Sequence, residues 1–402
     1  MRIPLASSGL RDSDIENVLR VLKSGNLTMG LEVRNFEAKM AQYLGVSHFV
    51  MVNSGSSANL LMIEALIRPT LGKPKLNPGD SILVPAIAWP TTIWPLIQLG
   101  LNPLFVDVNP ETLAIDLNAA QDLIDKSRIP VRGIFPIHPL GYSIPPSDLS
   151  NFSIKNDLIL INDVCESLGS WSEGKHAGTV GVAGSFSFYF SHHITTMEGG
   201  GIATNIDEYA DDLRSMRSHG WSRDRTDVDI WTKNKTINDS KFLFVSTGYN
   251  VRPMEIQAAI GSSQIDEIDN FVEKRRNIAR RVIDALKGTR LEIIGSETLF
   301  RDPKANSWML IPIRVTGENA SENKIEIIRK LEQLEVETRP VLTGNFLAQP
   351  AIQRITRHAL DPEKFVHASR ITSEAFMVGA HHDLSEEQID FLCRSLALVG
   401  NS

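Results

Sequence analysis

The segment Gly184–Gly201, GSFSFYFSHHITTMEGGG, carries two adjacent histidines, His192 and His193, between an apolar run and three glycines. Neighbouring side chains in an extended segment point opposite ways, so the pair is a poor chelate for one metal ion, and no metal site is expected. Beside a bound ligand, His192 is better placed as an acid or base, with His193 as the alternative. The glycines let backbone approach a ligand closely, or simply make a turn. Upstream, Asn53-Ser-Gly-Ser-Ser-Ala58 lies between the apolar run His48–Asn53 and the helical run Asn59–Ile67. Such a turn exposes free N–H groups at a helix start and suits a phosphate; an ordinary serine-capped helix is the alternative. Asp163 ends the apolar run LILIND, with Glu166 just beyond. A carboxylate there calls for a cation or a protonated ring nitrogen, or else caps the next helix. Trp89, after ILVPAIA, offers a face for a flat ring or fills the core. A second pair, His381-His382, is expected in a solvated loop.

The elements that must position these residues are legible from pattern. Between about 48 and 205, apolar runs (His48–Asn53, Ser81–Pro85, Pro103–Val108, Leu158–Asp163, Ser185–Tyr189) alternate with helix-like stretches. That predicts an α/β fold with a mostly parallel central sheet flanked by helices and ligands at the carboxyl ends of its strands. The apolar periodicity from Met254 to Lys287 predicts one long helix. Strands at Leu291–Ile294, Trp308–Val315 and Val336–Arg339, with helices near 321–334 and 385–398, predict a smaller C-terminal α/β domain. The division expected is a large domain over 1–250 and a small one over 251–402, joined by the long helix. Polar Asn234–Ser240 is expected to be a loop.

Composition narrows the classes. The 402 residues carry a net charge of −7, the wrong sign for a nucleic-acid binder. No stretch of about 20 apolar residues suggests a membrane span, and the start lacks the apolar core of a secretory signal, so a cytoplasmic enzyme is expected. Two cysteines, Cys165 and Cys393, make no disulfide framework and cannot supply four thiolates to an iron–sulfur cluster. Dinucleotide and P-loop glycine motifs are both missing.

In their order and spacing, LKSGNLTMGLEVRNFEAKMAQYLGV, NSGSSA, FVDVNPETLAIDL, INDVCESLGS, SFSFYFS with its EGG turn, and GYNVRPMEIQAAIG resemble the DegT/DnrJ/EryC1/StrS aminotransferase family of fold-type-I pyridoxal-phosphate (PLP) enzymes. The resemblance runs nearly end to end. It implies that Gly55, Ser56 and Ser57 wrap the cofactor phosphate with help from Ser187, that Trp89 covers the pyridine ring, and that Asp163 pairs with its nitrogen. Glu166 would lie near the ring edge, where many relatives have glutamine. Asn250 would reach the phosphate of a second subunit, which implies a homodimer with shared active sites. The family's aminotransferases place a lysine where this chain has His192, and no lysine lies between Lys175 and Lys233. Imidazole cannot hold the cofactor covalently, yet it can move protons.

Histidine at this position, with Arg217–Asp224 (RSHGWSRD) and Val336–Phe346 (VETRPVLTGNF), is similar to the family's sugar 3-dehydratases. That branch has a cluster-bearing type and a cluster-free type that uses glutamate; two cysteines favour the second. The resemblance thus implies noncovalent PLP, converted by L-glutamate to pyridoxamine phosphate (PMP), and loss of the C3 hydroxyl from a nucleotide-linked 4-keto-6-deoxyhexose, with His192 as base. GDP is the nucleotide only by analogy. His219, Arg252 and Arg339 are candidate substrate contacts, with structural ion pairs an equal alternative for the arginines. An aminotransferase that tolerates histidine, or a non-catalytic binder, is the rival reading.

Overall fold

The computed structural model describes residues 1–7, 9–126, 129–233, 235–355 and 360–401. Two helices, α1 (Asp12–Ser24) and α2 (Leu31–Leu44), precede the first strand, β1 (His48–Val52). Helix α3 (Gly55–Ile67) leads to β2 (Ser81–Pro85), and α4 (Pro90–Gln98) to β3 (Asn102–Val106). Then come β4 (Val131–Ile134), β5 (Ile159–Asp163), a small ribbon of β6 (Trp171–Ser172) and β7 (Lys175–His176), β8 (Ala183–Ser187) and β9 (Gly200–Thr204). Seven of these form one sheet in the order β1-β9-β8-β5-β4-β2-β3. Only β9 runs antiparallel to its neighbours, so the sheet is mostly parallel, as its alternating pattern implied.

Both faces are covered. In β1, Val50 and Val52 pack with α3, while Phe49 and Met51 pack with Phe36 and Met40 of α2. The two-residue alternation thus splits apolar side chains between two layers of helices, which is why these strands read as unbroken apolar runs.

Two strands carry no such signal. Val131–Ile134 is short, and Gly200–Thr204 begins in the glycine run that reads as a turn. The glycines of β9 are steric necessities: a Cβ on Gly200 would sit 2.4 Å from the Ser54 carbonyl carbon, and one on Gly201 2.2 Å from the Phe49 ring.

The second sheet, in the order β10-β11-β13-β12, comprises β10 (Leu291–Ile293), β11 (Leu310–Val315), β12 (Thr338–Arg339) and β13 (Ala375–Gly379). Ile3 from the amino terminus pairs with Val336 and lies in this sheet's core. The helix expected over Met254–Lys287 is two, Glu255–Gln264 and Ile268–Leu286, separated by one 3₁₀ turn at Ile265–Glu267. Glu267, at φ −108° and ψ 0°, departs from helical geometry. The break falls where packing partners change: the first piece lies on α1 and α2, the second along helix Glu386–Gly400. In the polar stretch expected as a loop, Asn234 lies outside the described residues and Ile237–Ser240 makes one helical turn. Among the described residues no helix is long and apolar enough to cross a membrane.

Candidate active site

The site collects at one edge of the large sheet. The alignment of β1, β9 and β8 sets Val52, Gly200 and Ser187 side by side. Ser54 caps α3, its Oγ accepting the Ser57 N–H at 3.1 Å. The Gly55 and Ser56 amides, in the first turn, have no acceptor within the helix and sit at its positive end. A Cβ on Gly55 would meet Ser187 Cβ at 2.6 Å and Cys165 Sγ at 3.0 Å. Glycine there lets the helix start approach β8, forming a cradle of free amides and hydroxyls.

Beside the cradle, Asp163 ends β5 in register with Ser185 of β8. Its Oδ2 accepts from Asn59 Nδ2 and Thr92 Oγ1, both at 2.8 Å, and its Oδ1 accepts the Cys165 N–H at 3.1 Å. Asn59 is itself fixed by donating to the Thr91 carbonyl at 3.1 Å and accepting from Ser185 Oγ. No α-helix follows Asp163 directly, so it is not a helix cap. The carboxylate is 4% exposed and has no basic partner among the described residues. A buried anion held by neutral donors is costly without a compensating positive group.

Trp89 is the residue preceding α4, three positions from Thr92, and is 51% exposed. It is no core tryptophan: half its surface is open, and it precedes the helix whose Thr92 holds Asp163. Glu166 accepts the Leu140 N–H at 3.0 Å. Burial, with the Asp163 charge adding to it, pushes its carboxyl up to about 7, so it holds a proton near neutral pH.

The loop from β8 to β9 is pinned at both ends, Phe188 N–H donating to the Gly199 carbonyl and Thr196 N–H to the Phe188 carbonyl, each at 2.9 Å. Within it the His192 N–H donates to the Tyr189 carbonyl at 2.9 Å. Here the expectation of opposed histidines fails: the chain has left the strand for a turn, and His192 and His193 line one small cavity. His192 Nδ1 is enclosed without a partner, while Nε2 stays reachable. Burial, and then the nearby Arg275 guanidinium, hold this imidazole down at about 4, so it is neutral at physiological pH and able to accept a proton. His193 is buried, with Nε2 facing the Ser307 carbonyl at 3.3 Å. No group of three or more metal-binding side chains occurs among the described residues.

The pair His381-His382 is likewise not in a solvated loop: His381 is buried, and His382 stacks on Phe271 at 3.9 Å between centroids. Their neighbours are apolar rings and Arg275, which a loop rich in polar residues does not reveal.

The strand end before the cradle also meets the segment of two other candidates, the Asn53 N–H donating to the Val251 carbonyl at 3.0 Å. Arg252 donates from Nε to Asn250 Oδ1 at 3.1 Å and from Nη1 to Ser218 Oγ at 3.3 Å. His219 follows Ser218 in a left-handed conformation, φ 64°, and its N–H donates to the Tyr249 carbonyl at 2.8 Å. Asn250 and Arg252 line an open cleft with Trp221, Arg34 and Arg223. Arg339 is exposed on β12. Sequence reasoning missed Asn59, Thr92, Ser185 and Arg275. For Asn59 there was a signal, a polar side chain in the apolar helical run NLLMIEALI.

The residues present fit pyridoxal phosphate: free amides and serines for a phosphate, an uncompensated buried carboxylate for a protonated ring nitrogen, and an open tryptophan face. Fold and site together are those of the aminotransferase-like PLP enzymes. The chain belongs to the DegT/DnrJ/EryC1/StrS aminotransferase family, which it matches over residues 9–397. It is 36% identical over 390 residues to the GDP-4-keto-6-deoxy-D-mannose 3-dehydratase of Yersinia pseudotuberculosis, covering 96% of each chain. A crystal structure of a GDP-4-keto-6-deoxymannose-3-dehydratase variant with bound GDP-perosamine superposes with a TM-score of 0.89 at 33% identity, over 98% of this chain and 100% of that one. Another, of the dehydratase with a trapped PLP-glutamate geminal diamine, has a TM-score of 0.89 at 34% identity, over 98% and 100%.

Proposed function

We propose that this protein removes the C3 hydroxyl from a nucleotide-linked 4-keto-6-deoxyhexose, using noncovalent PLP/PMP renewed by L-glutamate. The observation that carries this is His192: a neutral imidazole, with one reachable nitrogen, where an aminotransferase of the family needs its lysine. GDP as the nucleotide, and glutamate as donor, rest on the relatives that bind GDP-perosamine and a glutamate adduct.

When bound, the cofactor supplies an amine for the sugar ketone and a ring that accepts electrons as the C3–oxygen bond breaks. The chain's own residues do the rest. The Gly55 and Ser56 amides, with Ser57 and Ser187, hold the phosphate. Asp163, oriented by Asn59, Thr92 and the Cys165 amide, pairs with the ring nitrogen. Trp89 covers the ring, and Glu166 holds its proton at the ring edge. His192 Nε2 takes up a proton and returns it to the departing hydroxyl. A lysine would instead recapture the cofactor and redeliver the proton to sugar carbon. Asn250 reaches the phosphate of a second subunit in a homodimer, bringing His219 and Arg252 to the substrate; Arg339 is a further candidate. Two free thiols, Cys165 and Cys393, suit a cytoplasmic enzyme.

The test is mass spectrometry of the product after incubation with PLP, L-glutamate and GDP-4-keto-6-deoxymannose. A nucleotide sugar lacking the C3 oxygen is expected. An amine at C4 with the C3 hydroxyl intact would make the protein an aminotransferase and overturn the proposal.

A further inference from the structure

His192 and His193 are neighbours held in different ways. His193 has its Nε2 on the Ser307 carbonyl at 3.3 Å. The His192 ring makes no hydrogen bond among the described residues, its Nδ1 being enclosed without a partner. A histidine that moves protons is ordinarily oriented by a hydrogen bond at its second nitrogen. Something else must set this ring.

The backbone closes the turn first. The His192 N–H donates to the Tyr189 carbonyl at 2.9 Å, and the His192 carbonyl accepts from Arg275 Nη2 at 3.3 Å. A turn closed from its fourth residue to its first brings those two residues together. The Tyr189 ring then stands against the imidazole, with 6.1 Å between centroids and 87° between planes. That is an edge-to-face contact within the ordinary range of aromatic pairs. Tyr189 is itself braced, its ring meeting Phe190 at 4.6 Å and 74°, with its N–H directed at Ser187 Oγ, 3.4 Å away. Packing of the core does not account for this tyrosine. Phe186 and Phe188, just before it, are fully buried, whereas Tyr189 is 41% exposed.

We propose that Tyr189 is the positioning residue of the base: its ring, and not its hydroxyl, holds the His192 imidazole so that Nε2 faces the reacting centre. A carboxylate in this place would favour the charged imidazole; an aromatic ring fixes the base and leaves it neutral. The catalytic meaning of the contact rests on His192 being the base, but the order it imposes on the ring is measurable without turnover.

The test uses the full-length protein with 13C-labelled histidine. Without cofactor, relaxation should show the His192 ring as rigid as that of His193 on the nanosecond scale. Tyr189→Leu keeps apolar bulk but removes the ring. The His192 ring should then gain mobility, with kcat in the loaded enzyme about tenfold lower and KM and PLP affinity unchanged. Tyr189→Phe should restore both rigidity and turnover. A His192 ring that stays rigid in Tyr189→Leu overturns the proposal. So does a Tyr189→Phe as impaired as the leucine variant, which would assign the effect to the hydroxyl. If the leucine variant does not fold, the wild type and Tyr189→Phe decide: a rigid His192 ring in both supports the contact, and a mobile one in either overturns it. Full turnover by His192→Asn would end the base assignment separately, leaving ring mobility to judge the contact.

Discussion

At Gly55 and His192 the chemistry turns on single atoms. An added methyl at Gly55 collides with Ser187 Cβ at 2.6 Å, and both belong to well-packed elements. Overpacking of this kind costs about 1–3 kcal/mol. Gly55→Ala is therefore expected to push α3 from β8 and weaken PLP binding about tenfold, read by absorbance titration; unchanged affinity would mean the phosphate lies elsewhere. At His192 the issue is proton traffic and not binding. His192→Asn should retain the cofactor while kcat falls by about a hundredfold or more. The companion change His192→Lys should attach the cofactor covalently, seen as an added mass after borohydride reduction. Unmodified protein with bound cofactor would show that position 192 is not the one the lysine occupies in relatives.

Among the elements, α3 does two jobs, offering its first-turn amides outward and its buried Asn59 inward to Asp163. Asn59 donates to Thr91 and Asp163 and accepts from Ser185. Replacing it by leucine leaves the Ser185 hydroxyl only the longer contact to the Asn162 carbonyl, at 3.3 Å, and removes one donor from a buried carboxylate. The expected loss is about 1–3 kcal/mol in urea unfolding, with weakened PLP affinity; a variant as stable as the wild type would contradict the network. What was legible in the sequence follows the same division. The strand ends, the Ser-Gly-Ser turn and Asp163 are local signals, since each depends on a run of apolar residues and what directly follows it. The partners that fix Asp163 come from three separate elements, and no spacing rule joins Asn59, Thr92 and Ser185. Strand β9 was hidden because its glycines answer to Ser54 and Phe49, which lie far away in sequence. The turn that brings His192 and His193 to one cavity, and seats His381 and His382 against Arg275 and Phe271, arises where the two sheets' elements meet. There the alternation rule for strands has no force.

For the molecule as a whole, the buried histidines form a shared liability to acid. Burial is the first cause in every case: it lowers His138, His192 and His381 to about 4 and His176 and His382 to about 3, and takes His193 well below its usual 6.5. Four of these six also feel Arg275, a buried guanidinium itself held down to about 10, so protonating any of them adds charge beside charge. Each ring binds a proton more readily unfolded than folded. Between about 6.5 and 4 the unfolded chain therefore carries more protons, and the stability these groups leave intact above 6.5 is lost as pH falls through that window. Glu166, raised to about 7 by burial, acts the other way: it is protonated in the fold and disfavours it as pH rises through its free value of 4.5 toward 7. One carboxyl against six imidazoles leaves the balance with the histidines below neutrality. Urea midpoints should fall steadily from pH 7 to pH 5, with unfolding at pH 5 taking up several protons, about one per buried imidazole, measured by calorimetry in buffers of different ionisation enthalpy. A flat profile over that range would mean the rings are solvated or already charged, and the neutral state of His192 would lose its physical basis.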